Sequence, residues 1–414
     1  MRLLKSVHYA WIVTFAAMLT VLGVLGLARF AFGMVLPGIA AELALDYREQ
    51  GMLGASYFLG YLVVVAIMPW LAPRTGLSRL CSCGLLVVSS GLCVMAFSTS
   101  FIVLSSSYFA VGLGSGMAFV AAMSLPSQWF FSSHRARSAG VALAGAGIGI
   151  LVSGMLVPHV EPTGSMAAWR VIWSGFALAN LLFALAALCL LRDSPADLGL
   201  EPYGVRGPLD TRLPEQSRAG IRSLNWSLLL RLGAIYAVFG AAGITYATFI
   251  VTAMIDGFGL TEAKAGALWS VVGALSIFSG AIFGYVSDRF GRRAGMVVVM
   301  LLQAIAYVLV ASRLGISALY VSIALFGLTA WSMPSIIAAA AGDYLGVENA
   351  ATGFAILTLI YAIGQVIGPG TAGYIAEYTG GFAATFAIAA GLNLMAVLMC
   401  TLLPSPQERP VVPA

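Results

Sequence analysis

The sequence predicts an all-α membrane protein with twelve transmembrane helices, and three observations carry that prediction. Of the 414 residues, 60% are hydrophobic and only 9% charged, with a mean hydropathy of +0.97. A soluble fold of this length cannot bury so much apolar surface. Apolar runs of ~20 residues, long enough to cross a hydrocarbon core as helices, recur twelve times, near 10–36, 50–71, 79–97, 101–124, 136–158, 169–191, 228–254, 264–286, 294–312, 317–340, 351–376 and 381–403. The basic residues fall in alternate loops, as they do when a chain is threaded repeatedly through a bilayer.

Each run is expected to be helical, because no water in the bilayer core can satisfy a free backbone N–H or C=O. The first run is too long for a cleaved signal peptide, and the chain beyond it is too apolar. The net charge of +5 reads as orientation and gives no sign of a nucleic-acid partner. With the N-terminus in the cytoplasm, Arg48, Arg170, Lys264 and Arg313 fall outside and Arg29 lies within a span; every other Lys and Arg is cytoplasmic. Both termini are then cytoplasmic, and the implied location is a bacterial inner membrane. The one long interruption, 192–227, is rich in Pro and Arg and reads as a cytoplasmic linker. It divides the chain into six-helix halves at 1–191 and 228–414.

Charged groups inside a membrane are costly and mark function by default. No run holds an Asp or Glu near its centre: Glu42, Asp46, Glu49, Glu161, Asp256, Glu262, Asp288, Asp343, Glu348, Glu377 and the linker acids sit in loops or at ends. His8, His134 and His159 are terminal too, so no buried carboxylate relay is visible. The five cysteines lie in or beside apolar runs and suggest neither a disulfide nor a metal site. No cofactor is expected, and no nucleophile, base or metal set assembles for an enzyme.

Arg29 is the exception. Counted from a helix centre near Gly23 at ~1.5 Å per residue, it lies ~9 Å off the midplane. Its fixed charge and planar fork suit a carboxylate, although snorkelling to the interface or pairing with Asp46 would also occupy it. A second set of polar and aromatic side chains suits a small-molecule cavity: Tyr57, Tyr61, Tyr108, Gln128, Trp129, Tyr246, Thr248, Trp269, Gln303, Trp331, Tyr361 and Gln365. Tyr361 and Gln365 share one helix face, beside a Gly364-to-Pro369 bend. The candidate binding set is Arg29, Tyr57, Tyr246, Trp331, Tyr361 and Gln365. Glycine repeats at 112–116, 140–154 and 364–373 suit close helix approach.

Between the eighth and ninth runs stands Gly284-Tyr-Val-Ser-Asp288-Arg289-Phe-Gly291-Arg292-Arg293, and 69–79 repeats it weakly through Arg74, Gly76 and Arg79, with Pro69 and Pro73 where Gly and Asp are expected. This loop resembles the motif of the major facilitator superfamily. The resemblance implies two six-helix halves (6+6) around a central cavity, with alternating access. It also implies a conformational latch at Asp288, Arg289, Arg292 and Arg293, shared with Arg135, Arg137 and Asp343. Tyr108 stands where many members carry an arginine linked to proton coupling, which argues against a proton-driven exporter. The segment from Trp129 through Arg135, Arg137, Gly140, Gly145 and Gly147 to Trp169-Arg170, with Arg192-Asp-Ser-Pro195 and Gly199-Leu-Glu-Pro202, resembles bacterial monocarboxylate and oxalate–formate type permeases. The expected function is secondary active uptake of a small organic acid by a monomer, coupled to a proton or exchanged for a counter-anion. The rival readings are a carrier of a neutral, aromatic or vitamin-like compound, a multidrug exporter, and a transporter-like sensor.

Overall fold

The computed structural model describes residues 8–160, 168–204, 224–346 and 349–404. Arg2, Lys5, Glu161, Arg206, Pro208, Arg212, Pro214, Arg218, Arg222, Glu348 and Arg409, all named above or counted with the linker and termini, lie outside the described residues. Twelve helices among the described residues are long and apolar enough to span a bilayer: α1 (Tyr9–Leu43), α2 (Tyr47–Thr75), α3 (Leu77–Ala96), α4 (Phe101–Trp129), α5 (His134–Val160), α6 (Ala168–Leu190), α7 (Trp226–Gly257), α8 (Glu262–Phe290), α9 (Arg292–Ala311), α10 (Ile316–Leu345), α11 (Thr352–Thr379) and α12 (Ala383–Thr401).

Several helices outrun their apolar cores, because helix ends are set by capping chemistry as well as by hydropathy. At the start of α2, the Asp46 carboxylate accepts from Glu49 N at 2.7 Å, and the Glu49 carboxylate accepts from Asp46 N at 3.1 Å. This reciprocal cap begins the helix in a polar turn that hydropathy leaves outside the run. Asp46 is thereby engaged in its cap and does not pair with Arg29. α1 continues past Pro37 to a left-handed residue, Ala44, at φ 51°. α10 breaks at Ala330–Trp331, and the freed Trp331 N–H donates to Ser279 Oγ at 2.8 Å.

Packing repeats six helices on. α1 packs on α5 as α7 does on α11, α2 on α4 as α8 on α10, and α3 on α6 as α9 on α12. Across the molecule, α1 meets α7, α2 meets α11 and α5 meets α8. Glycine permits these crossings. A Cβ on Gly51 would stand 2.5 Å from Pro369 O and 3.0 Å from Gly373 Cα, and one on Gly154 would stand 2.5 Å from Gly266 O. Hydrogen bonds reinforce them: Ser270 Oγ donates to Leu151 O at 3.1 Å, Tyr47 N to Glu377 at 2.9 Å, and the Tyr47 hydroxyl to Asp256 at 3.0 Å. These contacts lie at the middle of the bundle and at the end away from the linker. In this conformation they join the two halves at that far end.

The Gly51 contact gives a test. A leucine there overpacks the crossing by ~1–3 kcal/mol, so Gly51→Leu should shift the population roughly tenfold towards states with the far end parted. Labelling of a cysteine placed at Thr248 of α7, in a background without the native cysteines, should quicken with a water-soluble thiol reagent; an unchanged rate contradicts the assignment of this crossing as a join between the halves.

Candidate functional site

The site is built on an irregular stretch of α1. Leu22–Phe30 is π-helical, so the backbone bulges and some carbonyls lose their usual partners, a distortion that often accompanies function. Ala31 N donates to Gly26 O at 3.1 Å. The side chains of α2 and α4 supply further donors: the Tyr57 hydroxyl and Ser115 Oγ each donate to Val24 O at 3.3 Å, and the Tyr108 hydroxyl to Ala28 O at 3.3 Å. A Gly26–Gly149 pair lets α1 and α5 touch, since a Cβ on Gly26 would stand 2.5 Å from Gly149 Cα.

Arg29 is the last residue but one of this stretch. It is only 8% exposed, which rules out a snorkelled side chain. Its guanidinium carbon lies 4.9 Å from the ring centre of Phe30 and 4.8 Å from that of Phe58. Cation–π contacts of this kind soften the burial of a charge without neutralising it. Nε and Nη2 are buried with no hydrogen-bond partner, and among the described residues no carboxylate pairs with Arg29. The hydroxyl of Tyr361 lies beside it.

Arg29 opens onto a cavity between the halves, where Trp269 and Val272 of α8, Gln303 of α9, Trp331 of α10 and Tyr361 of α11 also face. Phe30, Phe239, Phe326, Ile150 and Ile244 complete the apolar wall. Phe30 meets Trp331 edge-on at 5.4 Å, and Tyr361 stacks on Tyr236 at 4.2 Å. The free volume is about 30 Å³, enough for a few waters at most.

Of the side chains predicted to bind cargo, the structure therefore brings Arg29, Trp331 and Tyr361 together. Tyr57 lies outside the lining, its hydroxyl engaged in holding α1. Tyr246 is buried inside the second half, where it stacks on Phe326 at 4.0 Å and shares a 2.8 Å hydrogen bond with Ser322. Gln365 is fully buried, both amide atoms are unpartnered, and it does not line the cavity. Phenylalanines 30, 239 and 326 had no sequence signal, because an apolar ring in an apolar helix looks the same whether it faces lipid, core or cavity.

The sequence profile of the family described as "Uncharacterised MFS-type transporter YbfB" matches residues 20–401. The chain belongs to this family of major facilitator superfamily transporters. It is similar to a protein named hexuronate transporter from Bacillus subtilis, 23% identical over 90% of this chain and 89% of the relative. A putative tartrate transporter of Agrobacterium vitis is 24% identical over 91% and 86%. Monocarboxylate transporter 12 of Xenopus laevis is 22% identical over 77% and 72%. Among solved structures, a D-xylose–proton symporter shares the fold at TM-score 0.76 and 15% identity, over 97% of this chain and 99% of that one. A bacterial homologue of the human lysosomal transporter Spinster, in an inward-facing conformation, does so at 0.72 and 16%, over 95% of each. A relative named for monocarboxylate thus stands beside others named for hexuronate and tartrate.

In this transporter the loop between α8 and α9 centres on Arg292. Its guanidinium contacts the Asp288 carboxylate, donates to Asp343 at 2.7 Å, and reaches Ser287 Oγ at 3.2 Å. The Asp343 side chain is 36% exposed and that of Asp288 66%; screening favours the less exposed partner. Arg289 is solvent-exposed, and Arg293 donates to Leu403 O at 3.4 Å. Arg135 donates to Phe130 O at 2.8 Å within its own turn, and Arg137 sits 5.6 Å over the Trp11 ring. The weaker loop at 69–79 recruits an acid from elsewhere. Asp193, just after α6, accepts from Ser78 N at 2.7 Å and lies against Gly76, which has φ +88°. A carboxylate there also complements the positive N-terminus of α3. Sequence spacing hides this contact, because Asp193 is far along the chain.

Asp288→Asn is expected to slow turnover by at most ~5-fold, in keeping with an exposed ion pair, and to leave cargo affinity within a few-fold. Asp343→Asn should cost more turnover. Initial transport rates compared with equilibrium binding check both; a larger effect at Asp288 contradicts the ranking. Asp193→Ala removes an N-terminal cap worth ~1 kcal/mol, so a measurable fall in thermal stability is expected.

Proposed function

We propose that this protein is a secondary active transporter of a bacterial inner membrane, importing a small organic acid, monocarboxylate-like in charge, by alternating access. The halves 1–191 and 228–414 rock about the cavity, joined by the cytoplasmic linker, and both termini face the cytoplasm. It works as a monomer, without a cofactor and without chemistry on the cargo. Coupling is by a proton carried with the anion or by exchange for a counter-anion.

The observation that carries this reading is Arg29: a permanently charged group, 8% exposed, with two unpartnered nitrogens and no counter-charge among the described residues. An uncompensated buried charge costs several kcal/mol, so a sequence that only needed a packed helix would not keep it. A transported carboxylate supplies the missing charge through two parallel hydrogen bonds. The relatives named for hexuronate, tartrate and monocarboxylate support an anionic cargo.

Truncating one partner of a buried charged pair costs ~2–5 kcal/mol. Arg29→Ala should therefore lower affinity at least ~30-fold in uptake of a labelled organic-acid panel by reconstituted protein, and Arg29→Lys should recover part of it. Equal uptake by wild type and Arg29→Ala overturns the proposal.

A further inference from the structure

The cavity's hydrogen-bonding balance is one-sided. Of the side chains lining it, Arg29 leaves Nε and Nη2 unpartnered, Trp269 and Trp331 each leave the indole Nε1, and Gln303 leaves Nε2. All of these are donors. The amide acceptor on the lining, Gln303 Oε1, already receives the Tyr307 hydroxyl at 2.9 Å. Among the described residues no Asp, Glu, Asn, Ser or Thr lines the cavity, and Arg29 is its one cation. Everything else on that lining apart from the Tyr361 hydroxyl is aromatic, aliphatic or glycine.

We infer that the cargo is an aromatic monocarboxylate without hydroxyl groups on its body, an inference that rests on reading Arg29 as the anion site. A carboxylate is acceptor-only and offers about four lone-pair directions, which matches a guanidinium fork with indole and amide N–H groups around it. One cation balances one charge; a dicarboxylate brings a second with nothing to meet it. A sugar acid or hydroxy-diacid brings several O–H donors into a site short of acceptors, and each hydroxyl left unpaired loses ~5- to 100-fold in affinity. The rings of Phe30, Phe239, Phe326, Trp331 and Tyr361 instead favour a flat aromatic body, received edge-on or stacked. The cargo therefore differs from those in the names of the hexuronate and tartrate relatives.

Calorimetric binding to the purified full-length protein tests this with phenylacetate, phenylacetamide, phthalate, glucuronate and tartrate. Phenylacetate should bind at least ~10-fold more tightly than phthalate, glucuronate or tartrate, and ~30-fold more tightly than the neutral amide. Glucuronate, tartrate or phthalate binding as tightly as phenylacetate overturns the aromatic monoanion while leaving the anion carrier standing. Phenylacetamide binding as tightly as phenylacetate overturns the anion reading itself, and absence of phenylacetate binding rejects the cargo class. Trp269→Phe and Trp331→Phe keep a ring and remove one donor each. At unchanged melting temperature, each should weaken phenylacetate several-fold and phenylacetamide less. If both variants bind phenylacetate like wild type, the indole donors have no part in recognition and the inference fails.

Discussion

Among the described residues Arg29 is the one buried charge, it has no counter-charge, and the structure around it is organised to hold it. A guanidinium cannot shed its proton, and in a medium with little water it must find partners or be held where partners arrive. Here the holding is done by neutral groups. Two phenylalanine faces lie near the guanidinium carbon, and the backbone that carries it is bent into a π-helical turn whose carbonyls are met by Tyr57, Ser115 and Tyr108. Those hydroxyls serve the helix, and the helix serves Arg29. Two nitrogens of the side chain are left without partners.

The same constraint explains the packing around it. Helices in lipid gain nothing from hiding apolar surface, so close approach and hydrogen bonds must hold them together. At the crossings between α2 and α11 and between α5 and α8 glycines lie against backbone, while side-chain bonds such as Tyr47 to Asp256 sit at the end away from the linker. Contacts of this kind are shallow and directional, so neither bundle has to be unpacked for them to part. The charged loops play the complementary part: Arg292 ties α8, α9 and α10 to one another, and Asp193 ties the end of α6 to the start of α3. Both ties lie within a half, so each stiffens its own bundle.

The sequence by itself determined the number of spans, the lack of an Asp or Glu near the centre of any span, the singular position of Arg29 and the family of the chain. Each of these follows from composition or from local spacing: the bilayer imposes a length and a polarity that can be read residue by residue. Helix ends were legible only approximately, because the cap at Asp46 and Glu49 is polar and hydropathy passes over it. Only the tertiary structure decided which of the polar and aromatic candidates meet. Arg29, Trp269, Gln303, Trp331 and Tyr361 come from five helices and converge on one cavity. Tyr57, Tyr246 and Gln365, equally plausible by residue type, are drawn into helix support or core packing. The physical reason is that a membrane helix shows much the same apolar surface to lipid, to its neighbours and to a binding site. The difference between a ligand and a prop then rests on rotation about the helix axis, and helix packing alone sets that rotation.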